Sequence, residues 1–207
     1  MSIRYLESRN LNRSSQVELF MKLWDVPVTD EQRQVLGERM KVTQKTSEFG
    51  NMNNAGTPYP SESCLVNRFH PNFETVIEPG VRELVYAIGI DRNYVTYTSC
   101  EGHDYAGTQS ENDMRHVGII ARSQMEFEQA KTEFENINLK VKDKLLDTPI
   151  ELALMTHSVT TDNKEMPVID FFLAKRIDAN WDDYFQNLDK ATSIVLDGFN
   201  QLADPAS

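Results

Sequence analysis

The chain has 207 residues, of which 40% are hydrophobic and 26% charged, and a formal net charge of −11. This length suits one domain, or one domain with an appendage, and a core of that size needs no disulfide staples. No window approaches the roughly 20 apolar residues that span a bilayer, and the N-terminus lacks the apolar core of a secretory signal. Cys64 and Cys100 give no disulfide framework, so we expect a cytoplasmic protein.

The acidic balance bears on the partners of the protein. Neutralised phosphates and released counterions supply most of the affinity of a nucleic-acid-binding surface, so such a surface is usually basic. The longest basic pattern here, residues 140–144, is interrupted by Asp143. We therefore expect no non-specific nucleic-acid binding and no membrane association, and we expect a small-molecule ligand or a partner protein instead. The oligomeric state stays open.

The first fifty residues are predicted to form two helices. Capping-box spacings at residues 15–18 and 29–32 mark their starts, and the first leads into an apolar helical stripe of Val17, Phe20, Met21 and Trp24. Residues 50–63 are rich in Gly, Asn, Pro and Ser, which is typical of a loop. The sequence therefore predicts an N-terminal helical arm and loop over residues 1–63 and a main domain over residues 64–207.

Helices and strands alternate in a definite order after residue 79. Pro79 and Gly80 precede a short amphipathic helix, and a long helix begins at the capping residue Ser123 and ends before Pro149. The last helix is capped by Asn180. Strands are predicted over residues 95–100, 116–121, 150–159 and 167–176, the last two forming a hairpin. The order α-β-β-α-β-β-α suits an α+β two-layer sandwich, a four-stranded sheet with helices on one face.

Reactive side chains are concentrated where the first of these strands ends, in the turn Ser-Cys-Glu-Gly-His-Asp at residues 99–104. This turn holds one of two cysteines and one of four histidines. Strand alternation predicts that Thr96, Thr98 and Cys100 share a polar, accessible face. Gly102 allows the backbone to turn sharply or to approach a ligand. His116 opens the next strand, so a second imidazole is expected nearby.

Three interpretations of Cys100 stay open. As a nucleophile, it would need His103 or His116 to stabilise its thiolate. As a metal ligand, it would form a Cys-x-x-His half-site with His103, completed by His116 with His157 as an optional further ligand. As a structural residue, it would be half-buried in a turn held by hydrogen bonds. We take as candidate catalytic residues Cys100, Glu101, His103 and His116, and as candidate ligand-binding residues Ser99, Gly102 and Asp104. The sequence assigns no metal.

The other histidines and one aspartate are given separate interpretations. His157 alternates with apolar residues in its strand and is predicted to be a core histidine. His70 stands beside a proline and is predicted to be a loop residue. Asp170 interrupts an apolar strand, where a buried carboxylate needs a partner. A structural salt bridge is our first interpretation of Asp170, and a general base facing the site is the second.

The segment from Val81 to Ala130 resembles the tRNA wybutosine-synthesising methyltransferase family. The resemblance rests on Thr96-Tyr-Thr-Ser-Cys-Glu-Gly102, which is similar to the family's Thr-x-Ser-Ser-Cys-x-Gly pattern, and on the apolar strand and capped helix that follow. Small uncharacterised bacterial and phage domains with a Ser-Cys-x-Gly-His pattern also share His103. The resemblance implies an α/β domain with a ligand site near Ser99, Cys100 and Gly102. It implies S-adenosylmethionine only weakly, so the cofactor stays unassigned.

Two functions follow as hypotheses. The first is a cytosolic bacterial or phage protein with a small-molecule or nucleotide-related site at the Ser-Cys-Glu-Gly-His turn, and this hypothesis includes a modifying enzyme. The second is a non-catalytic interaction or assembly subunit that uses the helices of residues 14–49 and the acidic surface. Common dehydrogenases and nucleotide hydrolases are not expected, because the chain lacks a Gly-rich dinucleotide loop and a phosphate loop ending in Gly-Lys-Ser/Thr.

Overall fold

The computed structural model describes residues 2–7, 11–12, 20–21, 24, 45–47, 50–52, 68–69, 73–74, 77–104, 109–110, 113–160 and 165–203. The strands are β1 (Arg4–Tyr5), β2 (Leu11–Asn12), β3 (Lys45–Ser47), β4 (Gly50–Met52), β5 (Val95–Cys100), β6 (Arg115–Ile120), β7 (Ile150–Thr160) and β8 (Glu165–Lys175). The helices are α1 (Arg82–Val85), α2 (Gln124–Val141) and α3 (Trp181–Ala203). A 3₁₀ turn at Pro79–Val81 leads into α1, and a π-helical segment at Tyr86–Ile90 follows it.

One open, mixed sheet organises these elements, in the strand order β1-β7-β8-β6-β5. The four strands that the sequence predicts, β5 to β8, are antiparallel neighbours within it. The prediction of only four strands is wrong, because β1 adds a fifth in parallel to β7, and β2 pairs with β7 further along. These two-residue strands are too short to carry the alternation of apolar and polar residues that identifies a strand.

Helices α2 and α3 cover one face of the sheet. The ring centroids of Phe134 in α2 and Phe171 in β8 are 4.7 Å apart, and Phe199 in α3 lies 5.8 Å from Phe171. All three side chains are fully buried. The α+β arrangement with helices packed on a sheet face is therefore confirmed. The opposite face is also buried, as Met155 and Phe172 show with 3% and 4% exposure.

The predicted starts of the two long helices are confirmed by their caps. The Ser123 hydroxyl accepts a hydrogen bond from the Glu126 N–H at 3.2 Å, and the Asn180 side chain accepts one from the Asp183 N–H at 2.8 Å. Helix α2 ends at Val141, well before the predicted stop at Pro149, and turns fill the interval. No helix in the described ranges combines the length and the apolar character of a membrane span.

The N-terminal predictions are right in part. Phe20, Met21 and Trp24 are helical, and Phe20 and Trp24 are buried, as the apolar stripe predicts. The second helix is predicted to continue to about residue 50 and the loop to begin there. Both predictions are wrong at residues 45–52, where β3 and β4 form an antiparallel hairpin. Residues 25–44 lie outside the described part of the chain. The domain boundary at residue 63 stays a prediction, and β1 and β2 belong to the main sheet.

Candidate functional site

Three side chains suited to thiol or metal chemistry meet where β5 ends. A carboxylate oxygen of Glu78, the Cys100 sulfur and a ring nitrogen of His103 lie within 4.8 Å of one another. Cys100 is the last residue of β5 and His103 follows in the turn, whereas Glu78 directly precedes the 3₁₀ turn before α1. The reactive turn predicted from the sequence is thus completed by a carboxylate from an earlier segment. We call these three residues the Glu-Cys-His group.

His103 links the other two members of the group. Its Nε2 lies 2.9 Å from Glu78 Oε1, with only 17% and 12% of the two side chains exposed. Hydrogen bonding to Cys100 and then to Glu78 raises the pKa of His103 from 6.5 to about 10, against the lowering effect of burial. His103 is therefore an imidazolium at neutral pH.

Cys100 is partly exposed as a whole residue but is buried within the Glu-Cys-His group, and its sulfur has a backbone donor beside it. The Gly102 N–H donates to Sγ at 3.4 Å. Gly102 has a φ of 90°, which a residue with a Cβ rarely adopts, and a Cβ there would lie 3.3 Å from the backbone of Asp113 and Arg115. Glycine is therefore needed for the turn that brings this N–H to the sulfur.

Glu101 holds the two segments of the site together. Its N–H donates to Glu78 Oε2 at 2.7 Å, and its own carboxylate accepts from the Gly80 N–H at 2.8 Å. The two bonds run in opposite directions between the segment at residues 78–80 and the turn. The Glu101 carboxylate is therefore engaged with backbone, which gives this predicted catalytic residue the geometry of a positioning residue.

Arg115 connects the turn to helix α3. Its side chain donates to the Glu101 carbonyl at 2.7 Å, to Thr192 at 2.7 Å and to the Asp189 carboxylate at 3.1 Å, the last two residues being in α3. The residue is only 5% exposed. The turn that carries Cys100 is thus fixed to the helix that covers the sheet.

Tyr184 of α3 supports the same region. Its hydroxyl accepts from the Arg115 N–H at 2.9 Å and donates to the Leu173 carbonyl at 2.8 Å. Burial raises the pKa of Tyr184, so the phenol keeps its proton and can donate in this way.

The register of β5 and β6 decides which predicted residues share a face. Cys100 is directly opposite His116, so these two side chains lie on one face, whereas Ser99 is opposite Val117 on the other. The register shifts between Thr96 and Thr98. This irregularity puts Thr96 on the helix-covered face, so the prediction that Thr96 shares a face with Cys100 is wrong.

The remaining candidates lie at the edge of the group. His116 is partly exposed, places its Nδ1 3.0 Å from the Met114 carbonyl, and stacks at 4.8 Å on Phe172. It is not a member of the Glu-Cys-His group. Asp104 is exposed and accepts from the Gln109 amide at 2.7 Å. His103 and Cys100 are therefore central, and His116 is their neighbour on the sheet.

A separate buried network occupies the middle of the sheet. Asp170 accepts from the Tyr97 hydroxyl at 2.8 Å, and its other oxygen lies 3.0 Å from His157 Nε2. The His157 side chain has 0% exposure, and its Nδ1 has no hydrogen-bond partner within the described part of the chain. The predictions of a core histidine at 157 and a paired carboxylate at 170 are confirmed. His70 and Cys64 lie outside the described residues.

The sequence patterns do not identify two residues of the site, Glu78 and Arg115. Glu78 lies 25 positions before its partner His103, and no short motif connects such distant residues. Arg115 stands at the start of β6, where a single charge is typical of an exposed strand end. The one local signal near Glu78 is the Pro79-Gly80 pair, which marks a helix start and so a backbone turn beside the carboxylate.

Comparison with known proteins adds no assignment, since no family model, curated protein or solved structure matches the chain. The resemblance to the wybutosine-synthesising methyltransferase family therefore stays a prediction that rests on residues 96–102. The chemical character of this site is defined by the Glu-Cys-His group itself.

Proposed function

We propose that this protein is a thiol enzyme that transfers or hydrolyses an acyl group of a small molecule. The observation that supports this proposal is the line of contacts from Glu78 through His103 to Cys100. A thiol becomes a strong nucleophile when it is deprotonated, and a neighbouring imidazolium stabilises the thiolate. The Glu78 carboxylate at Nε2 orients an imidazole that is also hydrogen-bonded to Cys100, which follows the logic of a nucleophile-histidine-acid triad.

The proposed reaction has two halves. The Cys100 thiolate attacks the acyl carbon, and the bond from this carbon to the leaving group breaks. The leaving group departs with the electron pair and takes the proton of the His103 imidazolium. Water or another hydroxyl compound then attacks the thioester carbon and gives up a proton to a base. The carbon–sulfur bond breaks and Cys100 leaves as a thiolate. The proton taken up by the base is then released to solvent, and His103 takes up a proton from solvent, which restores the imidazolium for the next cycle.

Hydrogen-bond donors lie beside the sulfur, as the thiolate of this reaction requires. The Gly102 N–H is directed at Sγ, and hydrogen bonds to a charged form stabilise it. The reciprocal bonds between Glu78 and Glu101 keep the carboxylate facing His103 without a further rearrangement. Preorganisation of this kind is what distinguishes a reactive cysteine from a structural one.

Alkylation of Cys100 tests the proposal. In a Cys64→Ser background, where Cys100 is the one remaining cysteine, we expect rapid modification by iodoacetamide at pH 7, followed by intact-mass spectrometry. His103→Asn should slow this rate by about tenfold or more, because a free thiol is only a few per cent ionised at pH 7. Glu74→Gln changes an exposed carboxylate that does not contact His103 and should leave the rate unchanged. Equal rates in all variants would contradict the proposal.

A second candidate function uses the same group to bind a divalent metal. Thiolate, imidazole and carboxylate are all zinc ligands, and a catalytic zinc site combines three protein ligands with an open position. The mutual distances within 4.8 Å are the observation in its favour. In this case His103 would bind as neutral imidazole, with Glu78 Oε1 turning from the ring to the metal.

Elemental analysis separates the two candidates. For a metal site we expect about one zinc per chain in the purified protein, lost in Cys100→Ser, together with protection of Cys100 from iodoacetamide by bound zinc. For the thiol enzyme we expect alkylation at the same rate before and after dialysis against a chelator. Stoichiometric zinc with a sulfur that reacts only after chelation would favour the metal site.

A further inference from the structure

We infer that His116 is the base that removes the proton from water when the Cys100 thioester is hydrolysed. This inference rests on the proposed function and gives the site a second imidazole, with a task different from that of His103. The position of His116, its tautomer and the engagement of His103 each support it.

The position of His116 is set by the antiparallel pairing of β5 and β6. His116 is the direct partner of Cys100. Directly opposite residues have Cβ atoms about 4.5–5.5 Å apart and point to the same face. The His116 residue is partly exposed, so water can reach this face. The imidazole and the sulfur are therefore neighbours on one face of the sheet, where His116 is partly exposed.

The tautomer of His116 leaves a basic nitrogen available. Its Nδ1 lies 3.0 Å from the Met114 carbonyl, which can only accept a hydrogen bond, so Nδ1 carries the proton. No hydrogen bond of Nε2 to another described residue is seen, so this is the nitrogen left to take up a proton. A general base needs an imidazole held by one nitrogen with the other open to the proton donor.

The direction of the ring also favours this role. Continuing the register from the Cys100–His116 pair places Met114 opposite Gly102, so a ring that bonds the Met114 carbonyl leans toward the turn. Stacking on Phe172 at 4.8 Å limits its rotation. His116 is not a member of the Glu-Cys-His group, so its ring nitrogens are not committed to that group.

His103 is poorly placed for the same task. Its Nε2 is engaged with Glu78, its ring is hydrogen-bonded to Cys100, and it is the proton donor to the leaving group in the first half-reaction. A second imidazole separates the two proton transfers. In the second half-reaction the water oxygen bonds to the thioester carbon while its proton passes to His116 Nε2. The carbon–sulfur bond then breaks, sulfur leaves with the electron pair, and the carboxylic acid is released.

An activated ester measures the two halves separately. With p-nitrophenyl acetate we expect wild-type protein to release a burst of about one p-nitrophenolate per chain and then to turn over steadily, as covalent catalysis predicts. His116→Asn keeps an amide N–H for the Met114 carbonyl but has no basic nitrogen. We expect a burst rate within about twofold of wild type and steady turnover slowed about 100-fold or more, the usual range of general-base catalysis. Intact-mass spectrometry should then show acetylated Cys100 accumulating.

The controls separate failure of this inference from failure of the proposed function. Met125→Ala changes a side chain that is 71% exposed on α2 and should alter neither phase. Thermal melting checks the folding of His116→Asn, and His116→Gln serves as a second variant with the same expected result. A normal burst with unchanged steady turnover in these variants overturns the role of His116 alone. A wild-type protein without any burst overturns the thiol enzyme and, with it, this inference.

Discussion

At the scale of a single residue, the site depends on the protonated state of His103. Its imidazole is mostly buried, yet hydrogen bonds to Cys100 and Glu78 outweigh the cost of burying a charge and raise its pKa to about 10. This charge in turn is paired with the Glu78 carboxylate beside the Cys100 sulfur. The Glu-Cys-His group is therefore an electrostatic unit in which each member fixes the state of the others.

Substitution of Glu78 should change this unit in a measurable way. Glu78→Gln removes the second largest cause of the raised pKa of His103 and leaves the hydrogen bond to Cys100, so the pKa of His103 should fall from about 10 but stay above 6.5. Titration of the His103 ring protons by NMR measures it. Glu74→Gln, which changes a carboxylate paired with Arg82 on the same segment, should leave the titration as in wild type. An unchanged pKa in Glu78→Gln would show that the carboxylate does not act on the ring.

The same shift links stability to pH. Because the pKa of His103 is higher in the folded than in the unfolded protein, protonation stabilises the fold. This contribution is fully present below pH 6.5, declines as the pH rises, and is lost above about pH 10. Turnover should fall in the same alkaline range, because the imidazolium that protonates the leaving group disappears there.

At the scale of elements, β6 carries a glycine that the buried network requires. Gly118 is directly opposite Asp170, and a Cβ at Gly118 would lie 2.2 Å from Asp170 Oδ1 and 2.6 Å from the Tyr97 ring. The Asp170 and Tyr97 side chains thus cross the sheet surface where β6 has no side chain. A glycine within a strand often marks such a close approach.

Gly118→Ala should therefore destabilise the protein although alanine is a better strand residue. The added methyl group must displace a carboxylate that accepts hydrogen bonds from Tyr97 and His157, and overpacking of this kind costs about 1–3 kcal/mol. Urea unfolding measures the loss. Leu139→Ala, which shortens a side chain that is 56% exposed on α2, should change the free energy of unfolding much less. A Gly118→Ala protein as stable as wild type would mean that the network moves aside freely.

At the scale of the whole molecule, the site depends on segments that are distant in sequence. Glu78 comes from the approach to α1, Cys100 from the end of β5, and Arg115 fixes the turn to α3. The two N-terminal strands add to the sheet at β7, away from this edge. The net charge of −11 is the reason for expecting no non-specific nucleic-acid binding, and this expectation stays a prediction.

Local patterns alone determined much of this fold. Strand β5 has the predicted bounds, β6 to β8 shift by one or two residues, and the caps at Ser123 and Asn180 start the long helices where expected. These features depend on side chains two to four positions apart, which a sequence displays directly. The reactive turn was visible for the same reason, because its residues are consecutive.

Only the tertiary structure decided the rest. Glu78 reaches His103, β1 reaches β7, and the irregularity in β5 turns Thr96 away from Cys100. Each of these depends on the path of the chain through space and on which side chains fill the sheet faces. Such contacts leave no periodic signal, since the free energy that stabilises them comes from partners far along the chain.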